Sequence, residues 1–293
     1  MLLHCSAGSG AQWRVLAGQL AGQFQVLAPD LAGYGASPAR AHGDFDTLTG
    51  HALALVRLLD RAPGPVHLVG HSFGGAVALR LALLLGDRLR SLTLIEPVAF
   101  HMLRGGAGED AAALEAVRTV ARSMARATRD GQGAARAMHR FVDFWNGEGT
   151  WDAMEAGQRA ALAAQAPQVV ADFDAIEAEP TRRAALRSIT APTLVLQGGR
   201  SPAPALLAAR RVAQAIPGAQ RVRLRDAGHM APITHCEMVN LLLTAHLELA
   251  QERARNHANR GHVLRHPREP ATVTDPIRRH AARHSPPVLV AQR

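Results

Sequence analysis

A serine set between glycines carries the strongest chemical signal in this chain. The segment reads Gly70-His71-Ser72-Phe73-Gly74. It follows a short apolar run at residues 66–69 and opens an almost wholly apolar stretch at 74–85. A tight strand-to-helix turn strains its central residue, so it needs small neighbours. Such a turn exposes the Ser72 hydroxyl at a helix N-terminus, where the N–H of Phe73 can face a developing oxyanion. The segment therefore predicts a nucleophilic serine.

A histidine late in the chain is the candidate general base. His229 lies between a strand predicted at residues 221–224 and a helix predicted at 236–249. A base that serves Ser72 must come from another loop at the carboxyl edge of the same sheet, where the ligands of parallel sheets bind. The order of serine, acid and histidine along the chain fits such a site. With 15 histidines in the chain, a solvated or structural histidine is the alternative.

Two acidic residues compete to orient this histidine. Glu96 ends the strand predicted at residues 92–95, whereas Asp226 lies three residues before His229 in one loop. Closeness along a loop does not make two side chains face each other, so we predict Glu96 as the acid and Asp226 as a solvated loop residue. A helix-entry or salt-bridge carboxylate is the alternative for Glu96.

The N-terminal segment at residues 4–10 is rich in small residues. Small residues let the backbone approach a substrate closely, and we predict that Ser6 supplies a second N–H to the oxyanion. A plain flexible terminus is the alternative interpretation of this segment.

The elements that must position these residues alternate between short apolar runs and helical periodicities. This alternation predicts an α/β fold with a mostly parallel sheet and helices on both faces. The predicted strands are residues 24–28, 66–69, 92–95, 193–196 and 221–224. The predicted helices are residues 47–62, 74–85, 204–216 and 236–249. Between them, residues 98–186 lose all strand signals and predict a helical insertion with the clustered aromatic residues Phe141, Phe144, Trp145 and Trp151.

The positive charge is concentrated in a tail, residues 252–293. This tail holds nine arginines against three acidic residues, out of a formal net charge of +9 for the whole chain. It has few large apolar residues, so we predict that it is disordered. The chain outside this tail carries a net charge of about +3, which is unremarkable for a soluble enzyme. Within it, residues 1–97 with 187–251 are the predicted core. Aromatic residues make up only 4% of the chain, so few rings are available for nucleic-acid bases to stack on. We therefore predict no nucleic-acid partner.

Four motifs occur in order between residues 1 and 250. They are His4-Cys5-Ser6 with Gln12-Trp13, Asp30-Leu31-Ala32-Gly33-Tyr34-Gly35, Gly70-His71-Ser72-Phe73-Gly74-Gly75 and Ala227-Gly228-His229-Met230. In this order they resemble the α/β-hydrolase superfamily. The resemblance implies ester-type hydrolysis through an acyl-enzyme, no cofactor, and a helical cap over the site, which residues 98–186 would form. It is poorly specific for substrate, and the serine argues against the dehalogenase and epoxide hydrolase chemistries that use aspartate there.

The chain departs from that pattern in two places. Many members carry the acid after the strand matching residues 193–196, where this sequence has Ser201. A serine cannot hold a negative charge, and a branch of the superfamily carries its acid one strand earlier, which favours Glu96. Relatives also have two or more strands before the oxyanion loop. Since this chain begins inside that loop, we expect a sheet that is short at this edge, or a start downstream of the true one.

These observations favour a serine hydrolase acting on a small carboxylic ester, lactone or thioester. The alternatives are a non-catalytic ligand-binding protein on the same fold, and a protein that binds a nucleic-acid or acidic partner through its basic tail. His229, His235 and Cys236 match no common zinc spacing, so we predict no metal. No apolar run is long enough to span a membrane, and two cysteines with no signal segment favour the cytoplasm.

Overall fold

A five-stranded sheet forms the centre of this computed structural model, which describes residues 1–38, 47–129 and 133–265. The strands are β1 (Leu2–Leu3), β2 (Val66–His71), β3 (Leu89–Ile95), β4 (Thr193–Gly198) and β5 (Gln220–Leu224). They lie in chain order, and each pairs in parallel with the next. The predicted parallel α/β fold is therefore confirmed. Residues Met1–Ala254 form one compact unit, and a second unit begins at Arg255.

The α-helices of the described residues connect and cover these strands. They are α1 (Arg14–Leu20), α2 (Leu48–Leu59), α3 (Phe73–Leu85), α4 (Glu109–Arg129), α5 (Ala134–Asn146), α6 (Ala156–Ala164), α7 (Ala166–Ala178), α8 (Ala203–Ala215), α9 (Ala231–Thr234) and α10 (Cys236–Arg265). Short 3₁₀ turns occur at Gly10–Trp13, Gly86–Arg88, Phe100–Leu103 and Arg183–Ser188. Within the described ranges, none of the helices is long and apolar enough to cross a lipid bilayer.

The two faces of the sheet are covered by different helices. Right-handed crossovers between strands added in one direction place α2, α3 and α8 on the same face. Their apolar residues pack there with alternate strand residues such as Leu68 and Leu94. The other face carries Val69 and Ile95, which pack against α1 and α10. This alternation follows from the two-residue period of a strand and explains why the buried strands read as continuous apolar runs.

Helices α4 to α7 lie between β3 and β4, within the stretch predicted as a helical insertion. Helix α4 has a one-sided apolar stripe that includes Leu114 and Val117, and both side chains are buried. The apolar side chains of α5 and α7 join the same core cluster as α3. We call residues 98–186 the cap segment below.

Two sequence-based predictions need correction. Residues 24–28 are not a strand. One backbone hydrogen bond, from the Leu2 N–H to the Leu27 carbonyl, joins this segment to β1. Because β1 has two residues, it is too short to form a longer ladder of hydrogen bonds with the segment. The last helix does not end at residue 249 but continues to Arg265, through the first part of the tail predicted to be disordered. Extending an existing helix avoids the cost of nucleation, and alanine, arginine and glutamate favour extension without an apolar face. Residues 266–293 lie outside the described residues.

Candidate active site

Three strained residues mark the carboxyl edge of the sheet. Among the described residues, Ala7, Ser72 and Glu96 are the non-glycine residues with positive φ, at 55°, 54° and 46°. Each follows one of three adjacent strands, β1, β2 and β3. Such conformations cost about 1–3 kcal/mol each and persist where surrounding structure enforces them, most often at functional sites. The strained backbone therefore marks this edge of the sheet as a candidate functional site, independently of the side chains there.

The turn that carries Ser72 is held by close backbone contacts. The Ser72 N–H donates to the Ile95 carbonyl at 3.0 Å, and the Gly74 N–H donates to the His4 carbonyl at 3.1 Å. A Cβ atom on Gly70 would lie 2.3 Å from the Gly74 carbonyl oxygen, and one on Gly74 would lie 2.4 Å from the His4 carbonyl oxygen. Both glycines of the motif are therefore required by packing against backbone that cannot move aside.

We expect Gly74→Ala to lower the free energy of unfolding by at least about 2 kcal/mol, because the new methyl group overlaps two backbone carbonyls. The matched control is Gly18→Ala in α1, where a Cβ meets nothing within 4 Å. Alanine is the better helix former, so this control should raise the free energy by about 0.5–1 kcal/mol. Urea unfolding of both variants measures the difference, and equal stabilities would contradict the packing argument.

The structure brings Ser72, His229 and Glu96 together. His229 Nε2 lies 2.9 Å from Ser72 Oγ, and His229 Nδ1 lies 2.8 Å from Glu96 Oε2. The three side chains are 5%, 3% and 0% exposed, so water does not compete for these hydrogen bonds. A carboxylate can only accept, so the Nδ1 proton of neutral His229 points to Glu96 and leaves Nε2 free to accept the Ser72 proton. This arrangement can activate the hydroxyl as a nucleophile.

The other acidic candidate points away from the site. Asp226 is 80% exposed and pairs with Arg200 at 3.4 Å. Glu96 instead places its second oxygen, Oε1, as acceptor for the Gly198 N–H at the end of β4. Ser201 is buried, and its hydroxyl has no hydrogen-bond partner among the described residues.

The two residues predicted to bind an oxyanion flank Ser72. Phe73 is the first residue of α3, where N–H groups have no acceptor within the helix. Ser6 lies in the loop after β1, and the hydrogen bond from Gly74 to His4 ties that loop to the turn. The Ser6 hydroxyl also donates to Asp172 of α7, a contact that the sequence analysis did not predict.

A relay of neutral side chains supports the backbone of His229. Burial, and then repulsion from His229, lower the pKa of His71 to about 3, so this imidazole is neutral near pH 7. Its Nε2 donates to the His229 carbonyl at 2.9 Å, which leaves Nδ1 to accept from Gln12 Nε2 at 3.1 Å. The side-chain oxygen Oε1 of Gln12 in turn accepts from the Cys5 N–H at 3.2 Å. The relay links the loop after β1 to the loop that carries His229.

The cap segment contributes aromatic side chains directly to the site. The Trp145 ring of α5 stacks on the His229 ring, with centroids 4.1 Å apart and planes 23° apart. A narrow cavity of about 10 Å³, room for about one water molecule, lies beside Ser72. Its lining comprises Ser6, Ser72, Val98, Phe100, Phe141, Trp145, Asp172, Phe173 and Ile176. A substrate group must therefore move the aromatic side chains of the cap segment aside to reach Ser72.

Asp172 is the polar residue of this site that the sequence analysis missed. It is 2% exposed, and one of its oxygens accepts from the hydroxyls of Ser6 and Tyr34, both at 2.5 Å. A signal did exist in the sequence. Asp172 lies on the apolar stripe of α7, three residues after Val169 and four before Ile176, where a carboxylate is unexpected.

Residues 1–240 match the profile of the alpha/beta hydrolase family, which covers most of the chain. The chain belongs to this family. The predicted superfamily is thereby confirmed, and the helices between β3 and β4 occupy the place that the resemblance gave to the cap.

Two curated relatives and one solved structure illustrate the range of this alpha/beta hydrolase's neighbours. The acetyltransferase component of the acetoin cleaving system of Pseudomonas putida is 32% identical over 84% of this chain and 62% of its own length. A pimeloyl-[acyl-carrier protein] methyl ester esterase of Chromobacterium violaceum is 26% identical over 85% and 93%. A thermophilic esterase from Thermogutta terrifontis is 27% identical, with a TM-score of 0.65 over 85% and 89%. This chain spans about a third to under two thirds of the length of the first curated relatives.

Proposed function

We propose that this alpha/beta hydrolase is a serine esterase that cleaves small carboxylic esters, lactones or thioesters through an acyl-enzyme. The observation that carries the proposal is the buried chain of hydrogen bonds from Ser72 through His229 to Glu96. Two features agree with it: strained backbone at Ser72 and a cap cavity that opens beside its hydroxyl. The esterases among its relatives support the same reaction class.

In the proposed mechanism, Ser72 Oγ attacks the ester carbonyl carbon while His229 Nε2 takes the hydroxyl proton. The carbonyl oxygen becomes an oxyanion, which accepts hydrogen bonds from the N–H groups of Phe73 and Ser6. The imidazolium is stabilised by the Glu96 carboxylate and then gives its proton to the leaving alkoxide. An alcohol departs, and an acyl ester on Ser72 remains. Water, activated by His229, then attacks that ester and releases a carboxylic acid and free enzyme.

The rival interpretation is a binding protein that has lost its catalytic acid. That interpretation depended on Ser201 standing where many relatives have aspartate, and on Glu96 pointing elsewhere. Glu96 is buried within 2.8 Å of His229 Nδ1, which favours the enzyme. A cofactor-free reaction, action on small molecules and a cytoplasmic location remain our predictions. The basic tail lies mostly outside the described residues.

Covalent labelling tests the proposed nucleophile. We expect a fluorophosphonate to react with Ser72, because Oγ displaces fluoride from phosphorus just as it would attack a carbonyl. The intact mass should rise by one phosphonyl group and should not change for Ser72→Ala. The control is Ser188→Ala, since Ser188 is an exposed serine whose hydroxyl donates only to the Ala185 carbonyl, and this variant should label like wild type. A folded wild-type protein that stays unlabelled would contradict the esterase proposal.

A further inference from the structure

The cavity beside Ser72 contains a carboxyl group that the proposed hydrolysis does not use. Asp172 Oδ2 accepts hydrogen bonds from Ser6 and Tyr34, and Oδ1 accepts one from Gln168 at 3.3 Å. All three donors are neutral. A carboxylate has about four acceptor sites, so Oδ1, with one donor, retains capacity for another. Asp172 is one of the residues that line the cavity.

No cation offsets this carboxyl group among the residues that the structure describes around it. Tyr34 and Cys5 are the titratable groups that face it from the core, and burial raises the pKa of each. The helix α4, which packs against α7, brings Arg118, but this side chain pairs with Glu177 at 2.5 Å, more than a turn further along α7. Buried charges in proteins are normally paired, so Asp172 leaves a negative charge for a ligand to balance.

Burial also determines when that charge exists. Desolvation raises the pKa of Asp172 from 3.8 to about 7, although the hydrogen bonds from Ser6, Tyr34 and Gln168 act to lower it. Below pH 7 the group is mostly protonated and neutral, and above pH 7 it is mostly a carboxylate. Any attraction for a positive ligand must therefore increase as the pH rises through about 7.

The remaining wall of the cavity is apolar and mostly aromatic. Phe100, Phe141, Trp145 and Phe173 line it, and the Phe141 ring meets the rings of Trp145 and Phe173 edge to face. Aromatic rings attract cations through their quadrupoles, most strongly in sites shielded from water. An anionic carboxylate among aromatic rings is a combination that favours a positively charged nitrogen over a neutral group of the same shape.

We propose, on the basis of ester hydrolysis at Ser72, that Asp172 and these aromatic rings select esters whose acyl or alcohol part carries a positively charged nitrogen. Asp172 is then a specificity-determining residue, and the Ser6 and Tyr34 hydroxyls hold its carboxylate at the cavity wall. This role assigns a purpose to a buried acid on the apolar stripe of α7, where an apolar residue would be more stable.

Binding to Ser72→Ala tests this inference without turnover. Choline and 3,3-dimethyl-1-butanol have the same shape and differ in charge, and calorimetry gives the ratio of their dissociation constants. We expect choline to bind at least about tenfold more tightly at about pH 8.5, and the preference to fall towards one at about pH 5.5. Adding Asp172→Asn should abolish the preference at both pH values. The matched control, Asp174→Asn on the exposed side of the same helix, should keep it.

A second variant keeps the test independent of any folding defect in Asp172→Asn. Tyr34→Phe removes one hydrogen bond that stabilises the carboxylate, so the midpoint of the preference should move to higher pH by about one unit. The inference would be overturned if choline and 3,3-dimethyl-1-butanol had equal dissociation constants at all pH values, or if the preference for choline survived Asp172→Asn. An unchanged midpoint in Tyr34→Phe would overturn it as well.

Turnover separates this inference from the proposed function. The kcat/KM of butyrylcholine is compared with that of the neutral 3,3-dimethylbutyl butyrate in wild type and in Asp172→Asn. Hydrolysis of the neutral ester without any choline preference in binding rejects the role of Asp172 and leaves the esterase intact. Choline binding that depends on Asp172, with no hydrolysis and no fluorophosphonate labelling, supports the recognition site and rejects the esterase.

Discussion

Replacing His229 with alanine should lower kcat for a p-nitrophenyl ester by about 10⁶-fold, close to the loss expected for Ser72→Ala. The Ser72 hydroxyl is a poor nucleophile unless Nε2, 2.9 Å away, accepts its proton as the bond to carbon forms. Without the imidazole, no other described side chain is positioned to take that proton. Only the oxyanion N–H groups and substrate binding remain, and these account for a small residual rate.

The double variant Ser72→Ala with His229→Ala gives this prediction its sharpest form. Two groups that act on one proton lose their effect together, so the double variant should be no slower than either single variant. The control is His235→Ala, because His235 is exposed and lies six residues further along the chain, and it should stay within about twofold of wild type. Losses that multiply in the double variant would show that the two side chains act independently.

Glu96→Gln should lower kcat by about 10⁴-fold. In the native protein, one Glu96 oxygen accepts from the Gly198 N–H and the other accepts from His229 Nδ1–H. The amide that replaces the carboxylate has one oxygen, and the Gly198 N–H will hold it. Its NH₂ group then faces His229 Nδ1 and favours the tautomer with the proton on Nε2. That tautomer cannot accept the Ser72 proton, and the imidazolium also loses its counter-charge.

Asp226→Asn is the matched control for the acid. Asp226 is 80% exposed and pairs with Arg200 on the surface, and exposed pairs of this kind contribute little. We expect its kcat to stay within about threefold of wild type, as measured by steady-state hydrolysis of the same ester. If Asp226→Asn were the slower variant, Glu96 would have to be removed from the proposed triad.

Much of the framework could be predicted because its determinants are local. The residues around Ser72 form a strand, a cramped turn and a helix within about twenty positions, and apolar runs and glycines encode each part. The same holds for the strand that ends at Glu96 and the strand before His229. The prediction failed at residues 24–28, because apolar residues specify burial and only a neighbouring strand can specify a ladder. It also failed at the end of α10, where helix propensity outweighed the lack of apolar residues.

The sequence by itself determined the fold class, the serine turn and a short list of partners for Ser72. Only the tertiary structure decided which acid faces His229, since Glu96 and His229 lie 133 residues apart and Asp226 lies three. The same is true of Asp172, which meets Ser6 across 166 residues, and of Trp145, which stacks on His229 from the cap segment. The physical reason is that strand and turn signals act through neighbours in the chain. Contacts between loops and the cap depend instead on how separate elements pack, and no local pattern records that.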